Sequence, residues 1–556
     1  MRGTLLSALS WTGGEADVVD KDGVVTLIAH SIDEPVAGAT LTSRHLFVKG
    51  WVYSQREPIS RVEVFVNDRL IGRAGLGRPR PEVALMLAAP DAELSGFELQ
   101  VAIPSLAPAA VASIRLVAVT VGGRSETLGA RDVRVDHVEI LGPTPAPAPL
   151  RTSRRSRVLR RTKSRHAPDP IRVLWAARSL DTGGSQLRMA ELVEHLGCEG
   201  GFQSTVLSPV EGPLRASLES SGAVVDVGGR VALDDPATYE ADLTALCAWI
   251  KGRFDLVVGF TVSSFPVIDA ARRLGVPSIL RIGEAAPLST VMTWTAAPMA
   301  PEIEARARLA FANASVLMSN SHAAVESYRT DGFDGSFIVV GTGVDVAGAS
   351  DSVAATDREG TRRRLGIGTD ERLLLCGASL WPVKGQALLV QALAQLHERH
   401  PALTCVLVGN TDESYAHAIR SFVSRHGIDG IVRILPFEHD LQAWWVAADV
   451  AVCTSESESL PAAVLEAMAF GLPVLSSRVG DVPLLIDDGV SGWLFDHSDL
   501  ESLVAGLERV AATSPERRRS MGSAARRHAA LHFDRSVIFD RIEHLLRTTA
   551  TRGPAG

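Results

Sequence analysis

The segment Ser455–Val474 places two carboxylates at an apolar helix. Glu458 stands just before Pro461, which suits a first helical turn, and Glu466 lies inside the predicted helix. The rest of that helix is apolar and leaves Glu466 no exposed face: Ala462, Ala463, Val464, Leu465, Ala467, Met468, Ala469, Phe470. A carboxylate in such surroundings is costly to bury unless something hydrogen-bonds it. Hydroxyl groups of a sugar or ribose are natural partners, so the pattern indicates a carbohydrate or nucleotide site.

The start of the same helix favours a phosphate group, because its free amides and its dipole attract anions. At about 1.5 Å rise per residue, the two carboxylates should lie on the order of 10 Å apart. A folded sugar diphosphate covers a similar span between its ribose and its hexose. The alternative interpretation is a capping acid at Glu458 and a solvent-facing helix acid at Glu466.

The spacing Glu-x7-Glu, followed by Ala-Met-Ala-x-Gly-x-Pro-Val, resembles the donor-site signature of family 4 glycosyltransferases. Those are retaining enzymes of the GT-B fold, with two Rossmann-like domains facing each other across a cleft. The resemblance implies that Glu466 holds the ribose hydroxyls and that Glu458 binds the transferred sugar and serves catalysis. It also implies that the amides of Ser459 and Leu460 face the diphosphate and sugar. The resemblance covers residues 171–545.

A second loop, Ala378–Gly385 (ASLWPVKG), resembles the family's G-R-L-x3-K-G loop, in which a Lys and an Arg neutralise the donor diphosphate. Lys384 and Gly385 match this loop, which implies a catalytic role for Lys384. Ser379 occupies the family's Arg position, and losing one charge-assisted contact is expected to weaken affinity by a few kcal/mol unless another cation substitutes. The alternative for Lys384 is an ordinary surface lysine.

A glycine pair, Gly183 and Gly184, follows the first predicted α/β strand within Asp181–Gln186 (DTGGSQ). Two glycines allow a sharp turn and close backbone approach to a phosphate or sugar. On their own they are weak evidence, but they resemble the family's GG-[AS]-[EQ] loop at the corresponding turn. We therefore predict that they contribute to donor binding.

Three further residues at strand ends are candidate substrate contacts. Arg178 and Arg281 are candidates for the positive charge that Ser379 does not supply. The family commonly has a His at the position of Gly283, so Glu284 is a candidate for orienting the substrate or activating the acceptor. A structural polar contact explains Glu284 equally well.

No Asp-x-Asp motif stands in the predicted cleft loops where a metal would bridge a diphosphate. GT-B enzymes generally use helix dipoles and basic side chains in place of a cation. We therefore expect no metal and no cofactor, with a nucleotide diphosphate sugar as donor substrate.

Residues 1–137 show the short alternating runs of an all-β domain, and the predicted architecture is a β-sandwich. The clearest runs are Leu46–Tyr53, Val62–Val66, Gly96–Ile103 and Ile114–Val121, with a hairpin turn at Asn67-Asp68. The pattern resembles Ig-like or carbohydrate-binding modules of bacterial glycosyltransferases. A spacer or dimerisation role and glycan binding both stay open, and the first is favoured because no cluster of exposed aromatic residues is apparent.

From residue 171 the pattern changes to strand–helix alternation, which predicts two parallel sheets covered by helices on both faces. We expect an acceptor domain over residues 171–350 and a donor domain over residues 351–530. Residues 531–556 should return to the acceptor domain, as the last helix does in GT-B proteins. The predicted strands are Ile171–Ala176, Ser204–Leu207, Leu256–Val258, Ser278–Arg281, Val316–Ser319, Phe337–Val340, Arg372–Cys376, Thr404–Val408, Val432–Leu435, Val450–Cys453 and Val474–Ser476.

A Pro-rich and basic linker over residues 138–170 separates these parts. Its residues 151–165 hold seven Arg and one Lys with no acid, although the chain carries a net charge of −8. The segment reads as a solvated tether or as a contact with anionic lipid headgroups. Nucleic acid is not an expected partner, because no aromatic residues interleave these charges.

Composition is that of a globular protein, with 46% hydrophobic and 22% charged residues. No apolar run is long enough for a transmembrane helix, and the start of the chain lacks a convincing signal peptide. The five scattered cysteines suit a reducing compartment. We therefore expect a cytoplasmic protein, with contact at the inner face of the membrane as an option.

These features together predict a hexosyltransferase that uses a nucleotide sugar and a glycan or lipid-linked hydroxyl acceptor in cell-surface polysaccharide or glycolipid synthesis. The substitutions at Ser379 and Gly283 support an alternative, a glycan-binding scaffold built on a catalytically decayed GT-B fold. An epimerase or phosphorylase on the same fold is a third reading. The sequence leaves the donor base and sugar, the acceptor and the oligomeric state open.

Overall fold

The structure is a computed structural model with three folded parts. It describes residues 14–19, 25–36, 39–41, 45–55, 57–87, 89–102, 111–135, 169–182, 184–285, 288, 291, 299–333, 335–438 and 441–551. The basic segment 151–165 and most of residues 285–299 in the acceptor domain lie outside these residues.

The first part consists of two five-stranded sheets. One has the order β1-β2-β4-β8-β7 and the other β3-β10-β9-β5-β6, with all pairs antiparallel except β3 and β10. Side chains from both sheets share one core, so the sheets pack face to face as a sandwich. The strands are β1 Gly14–Val19, β2 Val25–Glu34, β3 Thr40–Leu41, β4 His45–Ser54, β5 Ile59–Val66, β6 Arg69–Ala74, β7 Leu76–Arg78, β8 Gly96–Ala102, β9 Val111–Thr120 and β10 Ser125–Val135.

The second part, here called the first lobe, is built on a seven-stranded parallel sheet of order β13-β12-β11-β14-β15-β16-β17. The central strand β14 is buried at every position, as expected for a parallel strand covered on both faces. The strands are β11 Ile171–Ala176, β12 Phe202–Ser208, β13 Val224–Val227, β14 Leu256–Gly259, β15 Ser278–Ile282, β16 Val316–Ser319 and β17 Phe337–Val339.

The third part, the second lobe, is built on a six-stranded parallel sheet of order β20-β19-β18-β21-β22-β23. Both lobes reverse strand order beside their first strand, which opens a crevice at the carboxyl ends of the strands. The strands are β18 Arg372–Gly377, β19 Leu403–Val408, β20 Val432–Leu435, β21 Val450–Cys453, β22 Val474–Ser477 and β23 Gly492–Phe495.

Helices cover both parallel sheets. The final helix packs against the first lobe, where Ile538 and Phe539 share a core with Val173 and Trp175. The helices are α1 Pro81–Met86, α2 Gly184–Glu199, α3 Leu214–Ser220, α4 Pro236–Ile250, α5 Phe265–Leu274, α6 Pro301–Ala312, α7 His322–Thr330, α8 Val346–Ala355, α9 Arg358–Arg364, α10 Gln386–Leu396, α11 Glu413–Arg425, α12 Gln442–Ala447, α13 Ala462–Ala469, α14 Val482–Leu485, α15 Leu500–Ala512, α16 Pro515–His532 and α17 Arg535–Thr551.

The predicted fold class is confirmed: two parallel α/β sheets follow an antiparallel β region. The hairpin at Asn67-Asp68 is also confirmed, since both residues have positive φ and join β5 to β6. Strands β13 and β23 were not predicted. Among the described residues, no helix combines the length and apolarity needed to cross a membrane.

Candidate active site

Glu458 lies in the loop between β21 and α13, at the carboxyl end of the second sheet. Its Oε1 accepts hydrogen bonds from Ser455 Oγ at 2.7 Å and from Lys384 Nζ at 2.6 Å. The loop is anchored in turn by Ser477 Oγ on β22, which donates to the Ser455 carbonyl at 2.7 Å. The Glu458 side chain is only 14% exposed, so its own loop and a cation from the next loop hold the carboxylate in place.

The loop that carries Lys384 is bound to the Glu458 loop by its backbone. After β18, the short 3-10 helix Pro382–Lys384 ends at Gly385, which has a φ of +66°. A side chain at Gly385 would collide with the Thr454 carbonyl oxygen, so only glycine fits this close approach. Thr454 Oγ1 also donates to the Lys384 carbonyl at 3.0 Å. The two loops therefore form a single unit.

Lys384 provides a positive charge at this unit. Burial acts to lower the pKa of Lys384, but the Glu458 carboxylate and its hydrogen bond outweigh burial and raise the pKa above its ordinary value. Burial also raises the pKa of the adjacent Cys453 thiol, so that group stays neutral. The Lys384 ammonium is therefore charged at neutral pH and can face a phosphate.

Glu466 projects from α13 toward the first lobe. Its Oε1 lies 3.9 Å from Nη2 of Arg188, and its side chain is 37% exposed. The expectation that Glu466 has no exposed face is therefore wrong: one side of α13 borders the space between the lobes. Burial raises the pKa of Glu466, with a contribution from Glu191, while Arg188 and Arg535 oppose the shift.

The first lobe places the glycine-pair helix opposite Glu466. Gly184 is the first residue of α2, and a Cβ added there would meet no atom within 4 Å. Gly183 lies outside the described residues. One turn along α2, Arg188 donates to Glu191 at 2.8 Å and to the Gly343 carbonyl at 3.5 Å. The start of α2 thus combines an open backbone with a cation.

Arg281 at the end of β15 is a second cation on this side. Its guanidinium stands 4.7 Å from the centre of the Phe260 ring, and Nη1 donates to Ser185 Oγ at 3.4 Å. Burial lowers the pKa of Arg281, Glu284 raises it, and Arg188 lowers it further. The charge of Arg188 is felt at Arg281, which indicates a positive region that a diphosphate or another anion would stabilise.

The other two strand-end candidates are placed differently. Glu284 Oε2 accepts from the amide of Gly283 at 3.0 Å, a local contact of the kind proposed as its structural alternative. Arg178 follows β11 and is exposed, and among the described residues it has no ion pair. Arg188, which the sequence reasoning missed, lies 3.9 Å from Glu466 Oε1.

The two lobes touch at the Glu458 loop. Asn320 Nδ2, beyond β16, donates to Ser459 Oγ at 3.3 Å. Asp481 of the second lobe accepts from the amides of His322 and Ala323, at 2.7 and 2.8 Å. These amides are free because they open α7, so a carboxylate from the other lobe caps that helix. Ser459 therefore lies at the contact between the lobes.

The remaining predicted residues occupy supporting positions. The Leu460 side chain is buried in the core of the second lobe beneath α13. The Ser379 carbonyl accepts from the Gln386 side chain at 2.9 Å and from the Trp381 amide at 3.0 Å, which shapes the turn before Lys384. The roles proposed for the Ser459 and Leu460 amides stay predictions.

Sequence reasoning missed three residues that bring the lobes together, namely Arg188, Asn320 and Asp481. Their partners lie more than a hundred residues away in the chain, so no local pattern reveals them. Arg188 alone had a usable signal, since it stands one turn into a helix that opens on a glycine pair.

The fold and this cleft define a two-lobed GT-B protein, and comparison with known proteins gives its family. Residues 357–528 match the family described as glycosyl transferases group 1, and residues 183–343 match the glycosyl transferase 4-like domain. The chain belongs to the group 1 glycosyl transferases.

Its curated relatives include proteins named D-inositol 3-phosphate glycosyltransferase. The protein of Geodermatophilus obscurus is 35% identical over 210 residues, which are 36% of this chain and 45% of the relative. That of an Arthrobacter species is 30% identical over 288 residues, covering 50% of this chain and 67% of the relative. With the Geodermatophilus protein and that of Saccharomonospora viridis, the chain matches less than half of the relative's length, 45% and 42%.

Solved structures share the two-lobed fold. Anabaena HepE, solved with UDP-glucose, has a TM-score of 0.56 and 21% identity over 68% of this chain and all of that chain. A glycosyltransferase of Rickettsia africae has a TM-score of 0.58 and 14% identity, over 69% of this chain and 100% of that chain. Identities this low show the fold alone.

Proposed function

We propose that the protein is a retaining hexosyltransferase that moves a hexose from a nucleotide diphosphate sugar to a hydroxyl acceptor. The observation that carries the proposal is the unit of Glu458 and Lys384, joined at 2.6 Å where the two lobes meet. A carboxylate for sugar hydroxyls and a cation for the diphosphate stand side by side there. The relative HepE was solved with UDP-glucose, which supports a nucleotide sugar as donor.

In this proposal the bond between the anomeric carbon and the diphosphate oxygen breaks, and the acceptor oxygen bonds to the same face of the sugar. The departing phosphate takes the acceptor's proton, so no strong protein base is required. Lys384 stabilises the charge that develops on the leaving diphosphate. Glu458 holds hydroxyls of the transferred sugar, which positions the anomeric carbon.

At the other end of the donor, Glu466 accepts from the ribose hydroxyls. Arg188, 3.9 Å away, opposes the rise that burial causes in the pKa of Glu466. Arg188 and Arg281 supply the positive charge that Ser379 lacks, in place of a metal ion. The glycine-pair loop contributes its backbone to the same phosphate groups.

The acceptor is a hydroxyl of a glycan or a lipid-linked glycan, in cell-surface polysaccharide or glycolipid synthesis. In this scheme the basic segment 151–165 contacts anionic lipid at the inner face of the membrane. The relatives named for D-inositol 3-phosphate make a phosphorylated polyol a second acceptor to test. Arg281, stacked on Phe260 in the first lobe, is a cation able to face such a phosphate.

The test is donor hydrolysis with a panel of UDP-, GDP- and ADP-sugars, followed by transfer to glycan and D-inositol 3-phosphate acceptors. We expect one class of nucleotide sugar to be hydrolysed. In the transfer product, the sugar should keep the anomeric configuration that it has in the donor. Glu458→Ala should lower turnover at least tenfold, whereas Glu466→Ala should mainly raise the Kd for the nucleotide.

Several results would contradict the proposal. Wild-type rates in both Glu458→Ala and Lys384→Ala would remove the site from catalysis. A protein that binds none of the nucleotides in calorimetry would be the glycan-binding scaffold instead. A changed sugar nucleotide in the absence of acceptor would indicate an epimerase.

A further inference from the structure

The β-sandwich packs on the second lobe, although the chain continues from it into the first lobe. Leu94 of the sandwich shares the core of the second lobe with Leu388 and Leu389 of α10. Ion pairs flank this apolar contact: Arg61 with Asp499 at 3.0 Å, and Arg425 with Glu93 at 3.2 Å.

The backbone of residues 75–78, which include the short edge strand β7, lies close to the second lobe. A Cβ on Gly77 would lie 2.7 Å from the Cβ of Ala387, and a Cβ on Gly75 would lie 2.9 Å from the Cα of Ser498. A side chain at either glycine would therefore collide with the second lobe. Ala387 stands just after Gly385, so β7 lies directly behind the loop of Lys384.

Arg78 reaches from this strand into the Glu458 loop. Its Nη2 donates to Glu456 Oε2 at 2.8 Å, and the two side chains are 18% and 19% exposed. Glu456 stands two residues before Glu458, and its amide donates to the Val383 carbonyl at 2.9 Å, next to Lys384. Glu456 therefore takes part both in the ion pair with Arg78 and in the backbone hydrogen bond that joins the two loops of the candidate site.

Glu456 lies in an environment in which its ionised form depends on Arg78. Burial raises the pKa of Glu456 to about 7, Arg78 opposes the shift and Glu98 adds to it. Without Arg78 a half-buried carboxylate would lose its cation in the loop that presents Glu458. That loop would have to move to hydrate the carboxylate, or Glu456 would have to take up a proton.

We propose that Arg78 is a positioning residue of the donor site, holding the Glu456 carboxylate so that the joined loops present Glu458 and Lys384 in register. The β-sandwich is thus part of the donor site and not a detached spacer. Resting on the proposed function, this inference assigns Arg78 no contact with the donor; it acts through the loop.

Arg78→Met in the full chain tests the proposal, because it removes the charge and keeps most of the apolar stem. Arg80→Met is the matched control, since Arg80 is equally buried and pairs with Asp33 inside the sandwich at 2.9 Å. With the best nucleotide sugar of the panel, Arg78→Met should lower kcat at least tenfold. It should raise the Kd for the free nucleoside diphosphate by a smaller factor than it lowers kcat, because Lys384 also faces the diphosphate, and Arg80→Met should change neither.

Two further variants separate positioning from general damage. Arg78→Lys should recover part of the lost kcat, because it restores a cation. Arg78→Met combined with Glu456→Gln should be more active than Arg78→Met alone, because the more buried carboxylate is neutralised and only Glu98, whose side chain is 37% exposed, loses a cation. Loss of activity in proportion to folded protein, with no recovery in either variant, would show a structural role only and overturn the proposal.

Amide hydrogen exchange keeps the inference testable apart from the reaction. We expect peptides covering residues 380–386 and 453–460 to exchange at least tenfold faster in Arg78→Met than in Arg80→Met. Unchanged exchange would overturn the coupling even if the protein is a transferase. If instead the wild type binds and hydrolyses no sugar nucleotide while exchange still rises, the proposed function fails and the coupling stands. If Arg78→Met does not fold, Glu456→Gln takes its place in the measurements of kcat and of amide exchange, because it breaks the same ion pair.

Discussion

At the scale of single residues, the candidate site is organised by charges that burial makes sensitive to their partners. Lys384 keeps its proton because Glu458 outweighs burial, and Glu466 stands against Arg188 of the other lobe. Such pairs cost more to break than to form, because the remaining partner is left without compensation. A ligand that displaces one member of such a pair must therefore supply a group of the same charge as the member that it displaces.

The Glu456 carboxylate should make stability depend on pH in a defined window. Burial raises the pKa of Glu456 from 4.5 to about 7, so the folded state binds this proton more tightly than the unfolded state does. The resulting gain in unfolding free energy is complete below pH 4.5 and is lost as the pH rises to about 7. Relative to Glu456→Gln, the wild type should lose roughly 2–3 kcal/mol of unfolding free energy between these values. Urea unfolding from pH 4.5 to 8 measures the difference; a difference that stays constant over this window would contradict the assignment.

Gly385→Ala should destabilise the fold by roughly 2 kcal/mol or more, because both the positive φ and the Thr454 carbonyl oppose a side chain. Gly427→Ala is the control, since Gly427 has a φ of +64° and no atom within 4 Å of an added Cβ. The control reports the backbone strain alone, and chemical unfolding of both variants isolates the collision. Equal losses would mean that the Thr454 loop moves aside freely.

At the scale of elements, the sequence predicted most strands and helices but not the contacts between them. Most strands of both parallel sheets were found because buried parallel strands read as continuous apolar runs. Strand β13 escaped since it is an edge strand, half exposed and interrupted by Asp226. Strand β23 begins at Gly492, a residue depleted in strands, directly after a turn, so its short apolar run was not recognised.

The same limit applied to the site. Glu458, Glu466 and Lys384 stood in recognisable local motifs, so the sequence sufficed to select them. Arg78 and Arg188 are ordinary arginines in sequence, and they matter only because the fold brings distant carboxylates to them. Tertiary contacts of this kind carry no local signature.

The cap that Asp481 places on α7 predicts a coupling between the lobes. Asp481→Ala should cost about 1 kcal/mol of stability through the lost helix cap and should loosen the lobes. Asp412→Ala is the control, because Asp412 caps α11 within the second lobe by accepting from the Tyr415 amide at 2.9 Å. Small-angle scattering should show a larger radius of gyration for Asp481→Ala only. An increase in both variants, or in neither, would argue against an inter-lobe latch.

At the scale of the whole molecule, the sandwich and the second lobe are packed together while the chain joins the sandwich to the first lobe. A protease site inserted after residue 150 tests how much of this contact is independent of the covalent link. After cleavage we expect both fragments to elute together from a sizing column, since an apolar core and ion pairs join them.

Arg425→Glu provides the control for that cleavage. It replaces attraction to Asp91 and Glu93 by repulsion, so the cleaved fragments should separate more readily. Immediate separation of the cleaved protein without this substitution would mean that the covalent link alone keeps the sandwich in place.

The seating of Leu94 among side chains of α10 has a consequence for biosynthesis. The sandwich leaves the ribosome long before the residues that cover Leu94 have been translated. Until then Leu94 is not covered by α10, and chaperones or a neighbouring nascent copy can bind this part of the sandwich. Burial of Leu94 therefore waits for a part of the chain that is synthesised well after the sandwich itself.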